Sequence, residues 1–374
     1  MKNKITTIIL SFMLIVLITG IIILGKAMYD DIMGTNQENQ VYKITNTSVE
    51  EPIEKQNRNL ELSNSNISYG NSENTAKANQ EEMKVDTGIS RYFYNQLSNN
   101  QKIIYDNLYK NKENMKQGDY VIEFKEELSG KTKDEISNEQ LGTDYQTAIE
   151  AFMHDNPDMF FIDANKMYLR IKTRKNIFRT TREVTISADT GKKYYLDDFN
   201  DIDEVKLAIK QVEEIKNNII NNLKGSDYDK IMQIHNYLVD NIEYDSTYNA
   251  KGSYGIYGAL IGKTCTCEGY AKSMKYLLNE AGIKCEIMQG TGTNNSGKTE
   301  SHAWNCVRLE GIWYLVDATW DDPIITGNGY KTDQFKYRYF LKGTNTFDKD
   351  HTLAYQFSEE GKEFEYPIIS QRDY

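Results

Sequence analysis

CEGYAKSMKYLLNEAG (Cys267–Gly282), SHAWNCVRL (Ser301–Leu309) and IWYLVDATW (Ile312–Trp320) decide how this chain folds. In the first, Ala271, Met274, Leu277, Leu278 and Ala281 recur at helical spacing, and Gly282 is a natural stop. A largely buried helix therefore begins at Cys267. The unpaired N–H groups and macrodipole at that end favour a thiolate. A free thiol titrates near 8.5, but helix N-termini or an adjacent imidazolium bring it to about 3.5–7.5. Taken alone, Cys267 is better read as a small cysteine packing at a helix start.

The other two stretches change that balance. Both alternate as strands, and Glu310-Gly311 between them is a two-residue hairpin turn. If Leu309 pairs with Ile312, Trp304 falls opposite Asp317 and His302 opposite Thr319. His302, Trp304 and Asp317 then share one face, and His302 and Asp317 become diagonal neighbours. That spacing, roughly 7–8 Å between backbones, allows a side-chain hydrogen bond. A carboxylate there fixes the imidazole tautomer and stabilises the imidazolium. A one-residue slip in the turn would reverse one partner's face and break the arrangement. Ala303, Val307, Val316 and Ala318 make the opposite faces apolar as well, so both strands are expected to be central.

These three segments resemble the transglutaminase-like superfamily, with Cys267 in CEGYA, His302 in SHAWN and Asp317 in WYLVDATW. Residues 257–263 and the run from Ile234 to Asp245 are similar to the same family. So are Asp321-Asp322-Pro323, Tyr339-Phe340-Leu341 and Asp350-His351, and the likeness covers about residues 200–355. It implies an α+β fold with a papain/transglutaminase-like core. In that core the helix bearing the cysteine packs on an antiparallel sheet bearing His302 and Asp317. It also implies Cys267 as nucleophile, His302 as base and Asp317 as orienting acid, with no cofactor and no metal. The Cys267 backbone N–H is expected to serve as an oxyanion donor, with Tyr257 as a candidate side-chain donor. Cys265 departs from the family pattern. It stands as a spare thiol, a redox lock on Cys267 or a partner for Cys285.

Working outward, residues 227–242 read as a helix whose apolar stripe includes His235, expected to be buried and hydrogen-bonded rather than catalytic. A long charged helix (203–223) precedes it. Residues 90–195 suggest a small α+β unit: a helix over 90–116, a strand over 120–124, a helix over 145–154, then alternating runs in 159–187. Its Asn156-Pro157 turn resembles an accessory module of bacterial surface proteins. Residues 34–86 are polar and aperiodic, and read as a disordered tether with a span of about 40 Å.

At the N-terminus, Lys2 and Lys4 precede an uncharged apolar run from Ile5 to Leu24. About 20 such residues match a membrane-spanning helix, and the core is longer than that of a cleaved signal peptide. The leading lysines place the N-terminus inside and the rest of the chain outside the cytoplasm. The expected layout is thus a single-pass anchor (1–28), a linker (29–88), an accessory domain (89–197) and a transglutaminase-like catalytic domain (198–374).

Among the 374 residues the formal charge is −11, which argues against a nucleic-acid partner. The expected partner is a peptide or protein substrate, with cell-wall peptides and surface proteins the ones within reach. Oligomeric state is not readable. Hydrolysis needs fewer special features than cross-linking and is slightly favoured. Two rivals remain. One is an inactive binding or surface-organising module on the same fold. The other is a zinc site drawn from Cys265, Cys267, Cys285, His302 and Cys306, which leaves Asp317 and the tryptophan-rich strands unexplained.

Overall fold

The computed structural model describes residues 23–24, 26, 37–42, 91–125, 127–129, 135–175, 180–189, 191–322, 333–356 and 362–374. They fall into two compact units. One takes the chain up to Ile44, Tyr120–Gln146 and Ala164–Tyr194; the other takes Thr45–Asp119, Thr147–Asp163 and Tyr195–Tyr374.

The first unit is an antiparallel sheet of strands β1 (Gln37–Tyr42), β2 (Ile122–Phe124), β3 (Tyr168–Lys175) and β4 (Thr180–Ser187) in the order β1-β3-β4-β2. Ile122 and Phe124, Leu169 and Ile171, and Val184 and Ile186 alternate inward. Helix α1 (Asn138–Asp155) adds Leu141 and Tyr145, whose hydroxyl donates to the Met167 carbonyl at 2.8 Å. The helix starts earlier than the expected 145 because Ser137 Oγ caps it through the Gln140 N–H. Strand β1 corrects the tether reading, since Gln37–Tyr42 pairs along β3 from Gln37 opposite Arg174 to Tyr42 opposite Leu169. An edge strand is held by backbone pairing, which needs no period-two pattern, and QENQVY has none. The rest of the linker and most of the expected anchor lie outside the described residues. No helix among the described residues is long and apolar enough to cross a membrane.

The second unit holds the three deciding stretches. Helices α2 (Ile202–Asn222) and α3 (Asp227–Asn241) are capped by Asp201 and by a Ser226–Asp229 capping box. Short parallel strands β5 (Glu243–Tyr244) and β6 (Thr264–Cys265) follow, then helix α4 (Cys267–Glu280). Strands β7 (Cys285–Thr293), β8 (Thr299–Leu309), β9 (Ile312–Val316) and β10 (His351–Ala354) form an antiparallel sheet ordered β10-β7-β8-β9. Leu309 does pair with Ile312, and Glu310 (φ 52°) and Gly311 (φ 84°) make the tight turn.

Residues 91–119 and 147–163, expected in the accessory domain, group with this second unit. Phe93 packs edge-on against Phe364, with ring centroids 5.4 Å apart. Asp155 reaches Lys275 of α4 at 3.7 Å. The single helix expected over 90–116 is broken into Asn99–Lys110 and Lys112–Gln117, with a Ser98–Gln101 capping box at its start. The strand expected from 159 begins only at Tyr168, because Pro157–Met159 and Ala164–Lys166 wind into single 3₁₀ turns.

Candidate active site

Helix α4 packs on β7 and β8. Cys267, its first residue, is buried against Ala271, Ile287 and Ala303. Asn305 Nδ2 ties the sheet to the helix by donating to the Ala271 carbonyl at 2.9 Å. The N-cap, Thr266, gives the first turn no side-chain acceptor. Its own N–H donates to the Ser253 carbonyl at 3.0 Å. The first-turn N–H groups thus keep their orientation toward whatever lies beyond Cys267. Gly269 explains the third letter of CEGYA: a Cβ there would stand 2.5 Å from Cys265 Cβ and 2.7 Å from the Ser253 carbonyl.

The loop pressing on this turn is organised by Asp245. Its carboxylate accepts from Thr247, Ala250 and Ser253. Burial pushes that carboxyl up, but these bonds outweigh it and hold it down at about 2.

His302 and Asp317 meet directly, His302 Nε2 to Asp317 Oδ2 at 2.7 Å. The route differs in one respect from the expected strand. The β8–β9 ladder ends at Asn305 opposite Val316, so His302 has no Thr319 across from it and β9 stops before Asp317. Beyond Val316 the chain turns, because Asp317 Oδ1 accepts the N–H groups of Thr319 (2.9 Å) and Trp320 (3.1 Å). The turn lays Trp320 on the His302 ring, stacked at 5.1 Å and 29°. Strand β9 closes the named sheet rather than lying inside it, though Lys342 bridges its Leu315.

Asp317 is 1% exposed. Burial would raise its carboxyl; the charge and hydrogen bond of His302, then those of His351, more than reverse this and hold it well below the ordinary range.

His351, which the sequence offered only as part of the resemblance, also reaches Asp317 Oδ2, at 3.2 Å. Two glycines of β7 make room for these rings. A Cβ at Gly292 would come within 2.7 Å of Trp320 and 3.3 Å of His302 Cδ2, and one at Gly290 would collide with the Thr352 carbonyl. The alternating Gly290-x-Gly292 opposite the SHAW strand is the signal that could have marked this crowding beforehand.

Two further acids of the run after β9 anchor the helices. Asp321 bonds His235 of α3 at 3.0 Å, and burial pushes its carboxyl up to about 6 against the pull of His235. His235 is thus the buried, hydrogen-bonded residue expected. Asp322 accepts from the Tyr270 hydroxyl of α4 at 2.6 Å.

The remaining candidates divide. Trp304 lies in the apolar cluster of Met288, Cys306, Trp313, Leu315, Tyr339 and Phe347, its ring 6.0 Å from that of His302. Cys265 is buried beside Gly269, and burial first, then Cys267, Asp322 and Asp245, pushes its thiol up. No disulfide joins Cys265 to Cys267 or to Cys285. The Tyr257 ring is committed to Phe160 (6.1 Å) and Phe199 (5.5 Å), and no contact links it to His302 or Asp317. Among the described residues the cysteines form no cation-binding group. His302, Asp317 and His351 each offer a donor atom within 4.8 Å of the others. Asp317 Oδ2 takes a hydrogen bond with each of the two ring nitrogens, His302 Nε2 and His351 Nε2.

Residues 214–318 match the transglutaminase-like superfamily. The chain carries a transglutaminase-like domain. The chain is 30% identical over 138 residues to the kyphoscoliosis peptidases of Mus musculus and Homo sapiens; the match covers 34% of this chain and 21% of each relative. The chain thus spans about a fifth of the length of these curated relatives. Among solved structures, a protein described as a TGase aligns with a TM-score of 0.28 at 13% identity, over 46% of this chain and 48% of its own. A protein described as a cysteine protease of Cytophaga hutchinsonii aligns with a TM-score of 0.26 at 16% identity, over 41% and 57%.

Proposed function

We propose that the transglutaminase-like domain is a thiol acyl-transfer enzyme acting on peptide or protein amides, with Cys267 as nucleophile, His302 as general base and acid, and Asp317 as the group that orients His302. The Cys267 thiolate adds to the amide carbonyl carbon, forming the C–S bond and an oxyanion held by the first-turn N–H groups of α4. His302 then gives its proton to the leaving amine as the C–N bond breaks, and a thioester remains. Water adds next, giving its proton to His302, and the thioester C–S bond breaks to release the acid. We favour water over an amine as acceptor because hydrolysis requires no second groove.

The observation that carries this reading is the 2.7 Å bond from His302 Nε2 to Asp317 Oδ2, which points the other ring nitrogen away from the carboxylate. The position of Cys267 at the first residue of α4, buried against Ile287 of β7 and Ala303 of β8, supports it. The same unit is proposed to work outside the cytoplasm, carried by the apolar run from Ile5 to Leu24.

The test is the rate of Cys267 alkylation against pH, in wild type and His302→Ala. Fast labelling below pH 7 that vanishes in the variant is the expected result. A single titration near 8.5 in both would leave the alternative, an inactive transglutaminase-like binding or surface-organising module.

A further inference from the structure

We infer that His351 is a positioning residue of this site: it completes a His302–Asp317–His351 relay and holds the carboxylate that orients His302. The inference rests on the reading of Cys267, His302 and Asp317 as a triad.

His351 is 3% exposed and opens β10 opposite Gly292 of β7, so its backbone is fixed by the same sheet that carries His302. Its ring is wedged among aromatic rings, 4.0 Å from Phe347, 4.4 Å from Trp320 and 5.2 Å from Trp304. Packing alone would be served better there by another apolar ring, because a buried imidazole has to be bonded at both nitrogens or cost stability. Here both are bonded, and both partners are carboxylates. Nε2 lies 3.2 Å from Asp317 Oδ2 and Nδ1 lies 2.8 Å from Asp350 Oδ1.

A carboxylate can only accept, so this arrangement is satisfied when both ring nitrogens carry protons. Asp350 is held in turn by the Tyr339 hydroxyl at 2.6 Å and by Arg338 at 3.5 Å. The charged and titratable groups around His351 are therefore Asp317 beyond β9, Asp350 and Asp348 on its own segment, His302 on β8, and Tyr339 and Arg338 behind Asp350.

Two consequences follow for His302. First, Asp317 Oδ2 is shared between two ring nitrogens while Oδ1 takes two backbone N–H groups, so the carboxylate has all four of its acceptor positions filled and no freedom to rotate. Second, the His351 ring lies 5.5 Å from that of His302, and its charge opposes a second charge there.

The experiment is the pH dependence of Cys267 alkylation in wild type, His302→Ala and His351→Gln, each checked for a cooperative thermal transition. Glutamine keeps a donor for Asp317 but removes the charge. The inflection at which His302 loses its proton is expected to rise by about one pH unit in His351→Gln, the scale of a unit charge removed across several ångströms of protein. A folded His351→Gln protein whose inflection coincides with wild type overturns the inference and leaves the triad standing. Wild type without any His302-dependent inflection overturns the triad and this inference together. Should His351→Gln fail to fold, the ring ¹⁵N spectrum of wild type decides. Two protonated nitrogens on His351 at neutral pH support the relay, and one bare nitrogen facing a carboxylate overturns it.

Discussion

Gly292 lies on β7, and the missing side chain there is filled by the Trp320 ring, which in turn stacks on His302. Stacking of this kind shields the His302–Asp317 bond from water, and a bond kept out of water is worth more than an exposed one. Adding one methyl should therefore disturb chemistry before it disturbs folding. In Gly292→Ala the new Cβ has to push Trp320 aside, since it would stand 2.7 Å from that ring, and the His302 edge lies only 3.3 Å away. We expect Cys267 labelling at pH 6 to slow roughly ten- to a hundredfold, the scale of a small misplacement at a reacting centre. The thermal midpoint should change little, because a large aromatic ring at a half-buried site can move. Unchanged labelling in Gly292→Ala would mean that Trp320 has no part in holding His302.

At the scale of elements, Lys275 on α4 is fully buried and pairs with Glu286 of β7 at 2.5 Å and with Asp155 at the end of α1 at 3.7 Å. Asp155 also accepts from the Phe93 and Tyr94 N–H groups and the Tyr105 hydroxyl. One cation thus faces two carboxylates in a dry site. Burial pushes Asp155 up to about 7; Lys275 pulls it down and Glu286 pushes it up again. An acid raised from 3.8 binds more protons folded than unfolded between its two values, so stability falls as pH rises through that window and levels off above it. Wild type should lose stability relative to Asp155→Asn between pH 4 and 7, by about 1.4 kcal/mol per pH unit at the steepest. Denaturant unfolding at the two pH values checks this, and a gap that is constant or narrows the other way refutes it.

This buried trio was not legible in the sequence, because Asp155, Lys275 and Glu286 belong to three elements whose meeting is a tertiary fact. The β8–β9 hairpin was legible, because Glu310-Gly311 sits between two alternating runs and leaves one register. The end of β9 was missed because it is set by the Asp317 side chain bonding its own backbone, not by a change in hydropathy. His351 was legible only through the resemblance at Asp350-His351; its meeting with Asp317 is a tertiary fact.

At the scale of the whole chain, the strand Gln37–Tyr42 changes where the protein can be cut. Its backbone pairs along the full length of β3 from Leu169 to Arg174, and the Tyr42 ring fills the space over Gly142, where a side chain would collide with it. A chain starting near residue 88 lacks this strand, and β3 then presents a row of unpaired N–H and C=O groups, a ready template for another chain. Val41 of β1 is 47% exposed, and β1 covers the edge that β3 would otherwise present. Of two chains lacking the apolar run, one starting at residue 30 should stay monodisperse at concentrations where one starting at residue 88 associates, as light scattering would show. Their Cys267 labelling should agree at high dilution, because every group of the proposed site belongs to the other unit. Equal dispersity would show that β1 is dispensable to the sheet. A labelling difference that persists at high dilution would show instead that the N-terminal unit acts on the thiol site, which the proposed mechanism does not require.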